Sequence, residues 1–240
     1  MTNTNVSDDS WFELWFDSPY YHCLYKNRDY SEADAFIRNL VKDLGLKEGQ
    51  KVMDLGCGKG RHALSLNRLG LDVVGVDLSK ESIEEARKMN KNDLQFFVHD
   101  MRDIFEGHQF DVVFNLFTSF GYFDDNSDNL KVLESIHKML KPKGEVLIDF
   151  MNAEKVINNL TGSESKIING IEFEIRRWAD GKHIYKQIDI NDNNKSASFQ
   201  EKVQIIKQKH LEKLLVEAGF EVKKIWGSYQ LDAYDSDKSD

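Results

Sequence analysis

Between Lys51 and Met151, short apolar runs alternate with segments of helical periodicity, and this alternation restricts the fold more than any other feature of the chain. KVMDLG (51–56), DVVGVDLS (72–79), LQFFVHDM (94–101), FDVVFNLF (110–117) and EVLIDFM (145–151) are rich in Val, Ile, Leu and Phe. Such continuous apolar runs suit strands buried on both faces. RHALSLNRLG (61–70), KESIEEARKMN (80–90) and a segment at about 127–140 supply the helices between them. Strands and helices at this spacing form right-handed βαβ crossovers. The expectation is therefore an α/β fold with a doubly wound, mostly parallel sheet. A helix over 31–44 precedes it, with Phe36, Leu40 and Leu44 on one face, Ser31 as its cap and Gly45 as its stop.

Beyond residue 152 the pattern changes. KIINGIEFEIRRWA, KHIYKQIDI and ASFQEKVQII are β-rich and lack helical periodicity, and Ala179–Lys182 and Asn191–Asn194 read as hairpin turns between them. Residues 153–206 are thus expected to be an antiparallel meander inserted after the fifth parallel strand and covering the active site. Residues 207–218 return to helix, with Leu211, Leu214, Leu215 and Ala218 on one face and Gly219 at the stop, and EVKKIW (221–226) reads as a final strand. Residues 31–152 and 207–240 together form the α/β domain. Residues 1–30 stand apart, because 11–30 hold nine aromatic rings, His22 included, in twenty positions. So many rings must cover something apolar, either the domain's own core or a ligand.

The chain has 41 acidic and 32 basic residues among 240, for a net charge of −9. That sign repels phosphate backbones and disfavours a nucleic-acid partner. No run approaches the ~18–20 apolar residues of a membrane span, so no membrane partner is expected. MTNTNVSDDS lacks the basic and apolar regions of a secretory signal, and two cysteines cannot make a disulfide framework. A reducing cytoplasmic setting follows as the expectation. No H-x-x-x-H or C-x-x-C spacing occurs, so no metal is expected.

The chemistry concentrates in Val52–His62, where an apolar strand runs into Asp54-x-Gly56-x-Gly58-x-Gly60 and then a helix. Glycines let the backbone approach a ligand closely, and the helix start offers free N–H groups. A dinucleotide turn needs G-x-G-x-x-G, but Arg61 occupies the last position, and no Walker loop is present. Asp54 has the wrong sign for a pyrophosphate and suits a ligand carrying an ammonium group. Asp77 ends the second strand and can accept from a ribose diol; Ser79 is free to cap the next helix in its place. His99-Asp100-Met101-Arg102 ends the third strand, where a carboxylate can meet an adenine amino group and Met its face. Asn115 ends the fourth strand, either reading a ligand or buried against a backbone partner. His99 reads as structural and Cys57 as a small packing residue.

In this order the four strand ends resemble the class I S-adenosylmethionine-dependent methyltransferases. Val52–Gly60, Val73–Ser79, Phe97–Arg102 and Asp111–Phe117 look like that superfamily's first four motifs, and Leu140-Lys141-Pro142-Lys143-Gly144 like its turn before the fifth strand. The likeness covers about 35–152 and 207–226. It implies the Rossmann-like methyltransferase fold, with S-adenosyl-L-methionine as cofactor. Asp54, Gly56, Gly58 and Gly60 would line the methionine part, Asp77 would hold ribose, Asp100 and Met101 adenine, and Asn115 and Phe117 would flank the sulfonium. Cys57, Arg61, His62, Leu78, Ser79, Arg102 and Leu116 complete the implied cofactor set. NLFTSFGYF (115–123) is similar to the fourth-strand exit of small-molecule N-methyltransferases.

The implied activity is transfer of methyl to a small-molecule N or O nucleophile. RNA or protein methylation, and cofactor binding without catalysis, are the alternatives, and the oligomeric state, a homodimer included, stays open. In similar enzymes the N-terminal segment folds over the cofactor. Tyr20 and Tyr25 are therefore candidates both for catalysis and for cofactor contact, and His22 and Tyr21 join them as candidate bases. Arg28 is a candidate for the cofactor carboxylate or a substrate anion, or else for a surface ion pair with Asp29 or Glu32. The family's sheet usually gains a seventh, antiparallel strand after the sixth, where this chain offers only YQLDAY and a polar tail.

Overall fold

The computed structural model describes residues 11–25, 30–107, 109–193, 195–236 and 238–239. Two short helices, α1 (Trp11–Phe16) and α2 (Pro19–Leu24), lead to α3 (Tyr30–Asp43). The α/β alternation follows: β1 (Lys51–Leu55), α4 (Arg61–Arg68), β2 (Asp72–Asp77), α5 (Lys80–Ala86), β3 (Leu94–Val98), β4 (Phe110–Asn115), α6 (Asn126–Met139) and β5 (Leu140–Ile148). Then come α7 (Ala153–Asn158), β6 (Ser163–Ile168), β7 (Ile171–Ala179), β8 (His183–Asp192), β9 (Lys195–Gln204) and α8 (Gln208–Glu217).

The first five strands are all parallel, in the order β3-β2-β1-β4-β5. Consecutive residues of each strand face opposite cores. Val52 and Val73 pack with α3, α4 and α5 through Ile37, Leu66 and Ile83, whereas Met53 and Val74 pack with α6 and α8 through Leu133, Ile136 and Leu214. This is why the strands read as unbroken apolar runs. Phe96 of β3 is a wedge in the first core. A Cβ added at Gly60 would stand 2.6 Å from its ring and one at Gly75 would stand 2.5 Å from it, so both positions must be bare for the ring to fit.

Strands β6 to β9 form a separate antiparallel sheet in sequential order. One face carries Phe173, Ile175, Ile188 and Ile190, and it is closed by fully buried Trp15 with the rings of α1 and α2 around it. The N-terminal aromatics therefore cover a core, that of the inserted sheet. Ser18 caps α2 by accepting from Tyr20 N–H at 3.2 Å, with Pro19 in the first helical position.

Several boundaries depart from the sequence reading. The run KIINGIEFEIRRWA is two strands, because Asn169 and Gly170, at φ 53° and 81°, turn the chain between Ile168 and Ile171. An Asn-Gly pair is the strongest short hairpin signal, since both central residues need positive φ. Pairing of β5 begins at Leu140 and bulges through Lys143, at φ 67°, before resuming at Glu145, and the strand ends at Ile148. Helix α3 begins at Tyr30, so Ser31 lies within its first turn.

The largest difference is 221–226, which forms no strand. Its only bridge is the isolated pair Trp226–Ala233. Lys223 pairs with Glu145 and Lys224 with Asp43 at 2.8 Å, which holds the segment across a groove of about 1380 Å³ from the free edge of β5. No seventh strand fills that groove among the described residues. No helix among them is long and apolar enough to cross a membrane.

Candidate active site

The strand order reverses between β1 and β4, the switch point where open α/β sheets bind ligands at the carboxyl ends of their strands. A cavity of about 400 Å³ lies there. Its floor is the turn Leu55–His62, its walls are Val76–Leu78, His99–Met101 and Leu116–Ser119, and its roof is built from α1, α2 and β9. The roof thus joins the N-terminal rings to the inserted sheet, through β9, on which α1 packs.

The floor is shaped by charge burial. Asp54 is fully buried at the end of β1, and its Oδ2 has no hydrogen-bond partner among the described residues. Burial pushes its carboxyl up to about 7, assisted by the Asp77 charge, against the opposing pull of the Ala63 N–H and the Arg61 charge. Asp77 accepts from Gly58 N–H at 2.8 Å and Ser79 N–H at 2.9 Å. Burial outweighs those bonds and raises its carboxyl as well. These contacts pin the glycine turn to β2. A Cβ added at Gly58 would meet no protein atom within 4 Å, so a side chain there would occupy open space above the turn. Cys57 is buried, and desolvation together with Asp54 and Asp77 holds its thiol well above its usual range, hence protonated.

One wall is a stack. His62 lies on Phe117 with ring centroids 4.7 Å apart, and the Arg61 guanidinium covers Phe117 at 4.8 Å. Phe117 and Thr118 both hold positive φ, 57° and 56°, a strained pair at the exit of β4. The strain is held by Asp149, whose Oδ2 accepts from Phe117 N–H at 2.9 Å and Tyr229 O–H at 3.2 Å.

Of the candidates from sequence, His22, Tyr25, Gly56, Cys57, Gly58, Arg61, His62, Asp77, Leu78, Asp100, Met101, Leu116 and Phe117 line the cavity. Asp54 does not line it; it is buried one residue before Leu55. The remaining candidates are elsewhere. Tyr20 reaches away and donates to Asp192 Oδ2 at 3.3 Å, on the hairpin end of β8. Asn115 is fully buried under the floor, donating to Leu55 O at 2.9 Å. Ser79 caps α5 by accepting from Ser82 N–H at 3.0 Å and donates to Asp17. Gly60 faces the Phe96 wedge. Arg102 clamps Asp100, with Nε 3.1 Å from Oδ1 and a terminal nitrogen 2.6 Å from Oδ2, and lies over Phe123. Burial tends to raise the Asp100 carboxyl, but the Arg102 bonds and charge outweigh it and the net direction is down. Arg28 lies outside the described residues.

Residues 46–219 match the model of a family described as a methyltransferase domain. The chain belongs to the class I S-adenosylmethionine-dependent methyltransferases. Among curated relatives, the dTDP-3-amino-3,4,6-trideoxy-alpha-D-glucopyranose N,N-dimethyltransferase of Streptomyces venezuelae is 29% identical over 124 residues, 52% of each chain. The matches span about half the length of such relatives. Among solved structures, an S-adenosylmethionine-dependent methyltransferase from Clostridium acetobutylicum superposes with a TM-score of 0.74 at 17% identity, over 89% of this chain and 90% of that one. CalS10, an amino pentose methyltransferase from Micromonospora echinaspora with S-adenosylmethionine bound, superposes at 0.68 and 17% identity over 88% and 92%.

The methyltransferase cofactor fits the residues present. A buried carboxylate oxygen without a partner, at Asp54, asks for a cationic donor, and the cofactor's ammonium is one. Three site features escaped the sequence reading. Glu201 and Val203 reach the cavity from β9, and only the strand register could have placed them there. Tyr122 and Phe123 line it as well, within the NLFTSFGYF motif already quoted. Asp149 and Tyr229 buttress Phe117 from behind, and no motif marks either one.

Proposed function

We propose that this methyltransferase acts on a nitrogen or oxygen nucleophile of a small molecule, held in the roofed half of the cavity. The observation that carries the reading is His22. It lines the cavity half-buried, and its Nε2 is buried with no hydrogen-bond partner among the described residues. Desolvation and the Lys59 charge lower its pKa, against Glu81, Asp17 and Glu85, so the ring is neutral at pH 7 and can accept a proton.

When bound, S-adenosylmethionine supplies an electrophilic methyl group on a sulfonium that leaves as a neutral thioether. The residues supply position and proton management. Asp54 Oδ2 would take the ammonium, and Asp77, on the cavity wall, would accept from a ribose hydroxyl. Arg102 already occupies Asp100, so Leu78 and Met101 are left to cover the adenine faces. Phe117, fixed by Asp149, sets the wall beside the transfer path. The aromatic roof keeps water out, and His22 Nε2 takes the proton released by the nucleophile. The amino-sugar relative in Streptomyces venezuelae supports a small acceptor. The net charge of −9 opposes an RNA one.

Calorimetric titration with S-adenosylmethionine and S-adenosylhomocysteine, with NAD as control, tests the cofactor half. Radiolabelled methyl transfer to a panel of amines and alcohols then tests the acceptor half. Binding of the sulfonium pair without NAD, and label on a small acceptor, is the expected outcome. Label on RNA or protein alone would overturn the acceptor assignment.

A further inference from the structure

The roofed half of the cavity has a wall chemistry of its own. Phe12, Phe16, Tyr21, Tyr25, Tyr122 and Phe123 all line it. These rings form two linked rows. Phe12 meets Phe123 edge-on at 6.3 Å, while Tyr122 meets Phe16 at 5.5 Å, Phe16 meets Tyr21 at 5.1 Å and Tyr21 meets Tyr25 at 4.9 Å.

Among the described residues, the roof contributes one charged group to this surface, the carboxylate of Glu201. Its Oε1 accepts from Trp15 Nε1–H at 2.8 Å and from Tyr25 O–H at 2.6 Å. Both donors therefore hold the same oxygen. Oε2 forms an ion pair with Lys186 Nζ at 3.7 Å, beyond hydrogen-bond length, so it keeps its lone pairs for a closer donor. Lys186 does not line the cavity; it stands against Tyr25, 4.6 Å from the ring centroid, and donates to the Tyr25 hydroxyl.

A wall of aromatic rings with one oriented carboxylate is suited to one charge type. Ring faces are electron-rich and attract cations, and most strongly where water is excluded. An anionic acceptor would meet Glu201 with like charge. A neutral alcohol would gain no charge attraction from the ring faces or from the carboxylate, which Lys186 already pairs. We propose that the acceptor recognised here is an organic ammonium, an amine protonated in water, held by the ring cluster and by Glu201. This rests on the small-molecule reading above and narrows its nucleophile to nitrogen. His22 is then well placed, because a protonated amine must shed a proton before its lone pair is available, and Nε2 can take it.

The test uses choline and its uncharged isostere 3,3-dimethylbutan-1-ol, each titrated calorimetrically into the wild-type protein, with S-adenosylmethionine titrated in a parallel arm. Choline is expected to bind at least about tenfold more tightly than the isostere. Glu201→Gln is expected to shrink that ratio below about threefold while S-adenosylmethionine affinity stays unchanged. Equal affinity for the two probes, or binding of neither while S-adenosylmethionine binds, would overturn the proposal. The wild-type comparison needs no variant, so the proposal stays testable even if Glu201→Gln does not fold. Discrimination for choline without S-adenosylmethionine binding would sink the methyl-transfer reading and leave the ammonium pocket standing.

Discussion

Cofactor affinity should depend steeply on pH through Asp54. The ligand-free Asp54 carboxyl stands at about 7, raised by burial from an ordinary 3.8. Pairing with an ammonium requires it ionised, so binding below pH 7 must first expel a proton. One proton lost against a value of about 7 weakens affinity roughly elevenfold at pH 6 and about a hundredfold at pH 5, relative to the plateau. Above about pH 8 the cofactor's own α-amino group loses its charge, which confines the informative window to pH 5.5–7.5. Calorimetry in two buffers of different ionisation enthalpy should count about 0.9 proton released per cofactor bound at pH 6. Asp54→Asn should abolish that release and cost affinity by about 10- to 150-fold at pH 7.5, the worth of a charge-assisted hydrogen bond.

The same group makes an independent prediction for the ligand-free protein. Its folded value is raised, so between about pH 4 and 7 the folded state keeps a proton that the unfolded state releases. The contribution of Asp54 to stability therefore falls as pH rises across that window, by on the order of 4 kcal/mol. Asp54→Asn should accordingly resist urea better than wild type at pH 8 and lose that advantage at pH 5. Affinity that stays flat from pH 5.5 to 7.5, with no proton released, would refute the reasoning.

Three further outcomes are expected. His22→Gln should lower kcat by about 10²- to 10⁴-fold with cofactor affinity intact. In the wild type, activity should fall on the acid side as His22 protonates, and a variant within threefold of wild-type rate would remove His22 as the base. Gly75→Ala sets a Cβ 2.5 Å from the Phe96 ring and 3.0 Å from Cys57 Sγ, and should destabilise by about 1–3 kcal/mol. Adding Phe96→Leu should recover part of that loss, and strict additivity in the double-mutant cycle would show that the wedge does not exist. Tyr229→Phe removes one of two donors to Asp149 Oδ2 and should cost about 1 kcal/mol at pH 8. A urea midpoint equal to that of wild type would mean the hydroxyl is not buttressing the Phe117 wall.

The parallel sheet was legible because burial on both faces writes itself into each strand as an unbroken apolar run. The glycine turn was legible because Asp54 and three glycines at fixed spacing leave few alternatives. EVKKIW misled, since it has the composition of a strand while nothing described stands beside it to complete a ladder, and its lysines are drawn to Glu145 and Asp43 instead. Asn115 shows the opposite limit. A polar residue at a strand end can face ligand or floor, and the side it takes depends on the pleat, which put its amide under Leu55 O. Tyr20 and Tyr25 look alike in sequence, yet their places at the start of α2 and just past its end send the first to Asp192 and the second to the cavity. Glu201 carried no local signal, because a carboxylate in a half-polar strand looks the same on either face.

The pairing of the N-terminal rings with the inserted sheet also sets an order of assembly. Trp15 and Glu201, which bond directly, are 186 residues apart. At about 5–20 residues per second of synthesis, the aromatic segment waits roughly ten to forty seconds for its partner to be made. The α/β body has every one of its sheet strands by Ile148 and can collapse in the meantime. The floor of the site therefore exists before its roof. Until β9 emerges, Trp11, Phe12, Trp15 and Phe16 present a run of exposed rings that invites chaperone binding or self-association. The non-local contact that seals the cavity is thus also the step at which a nascent chain of this protein is most easily lost.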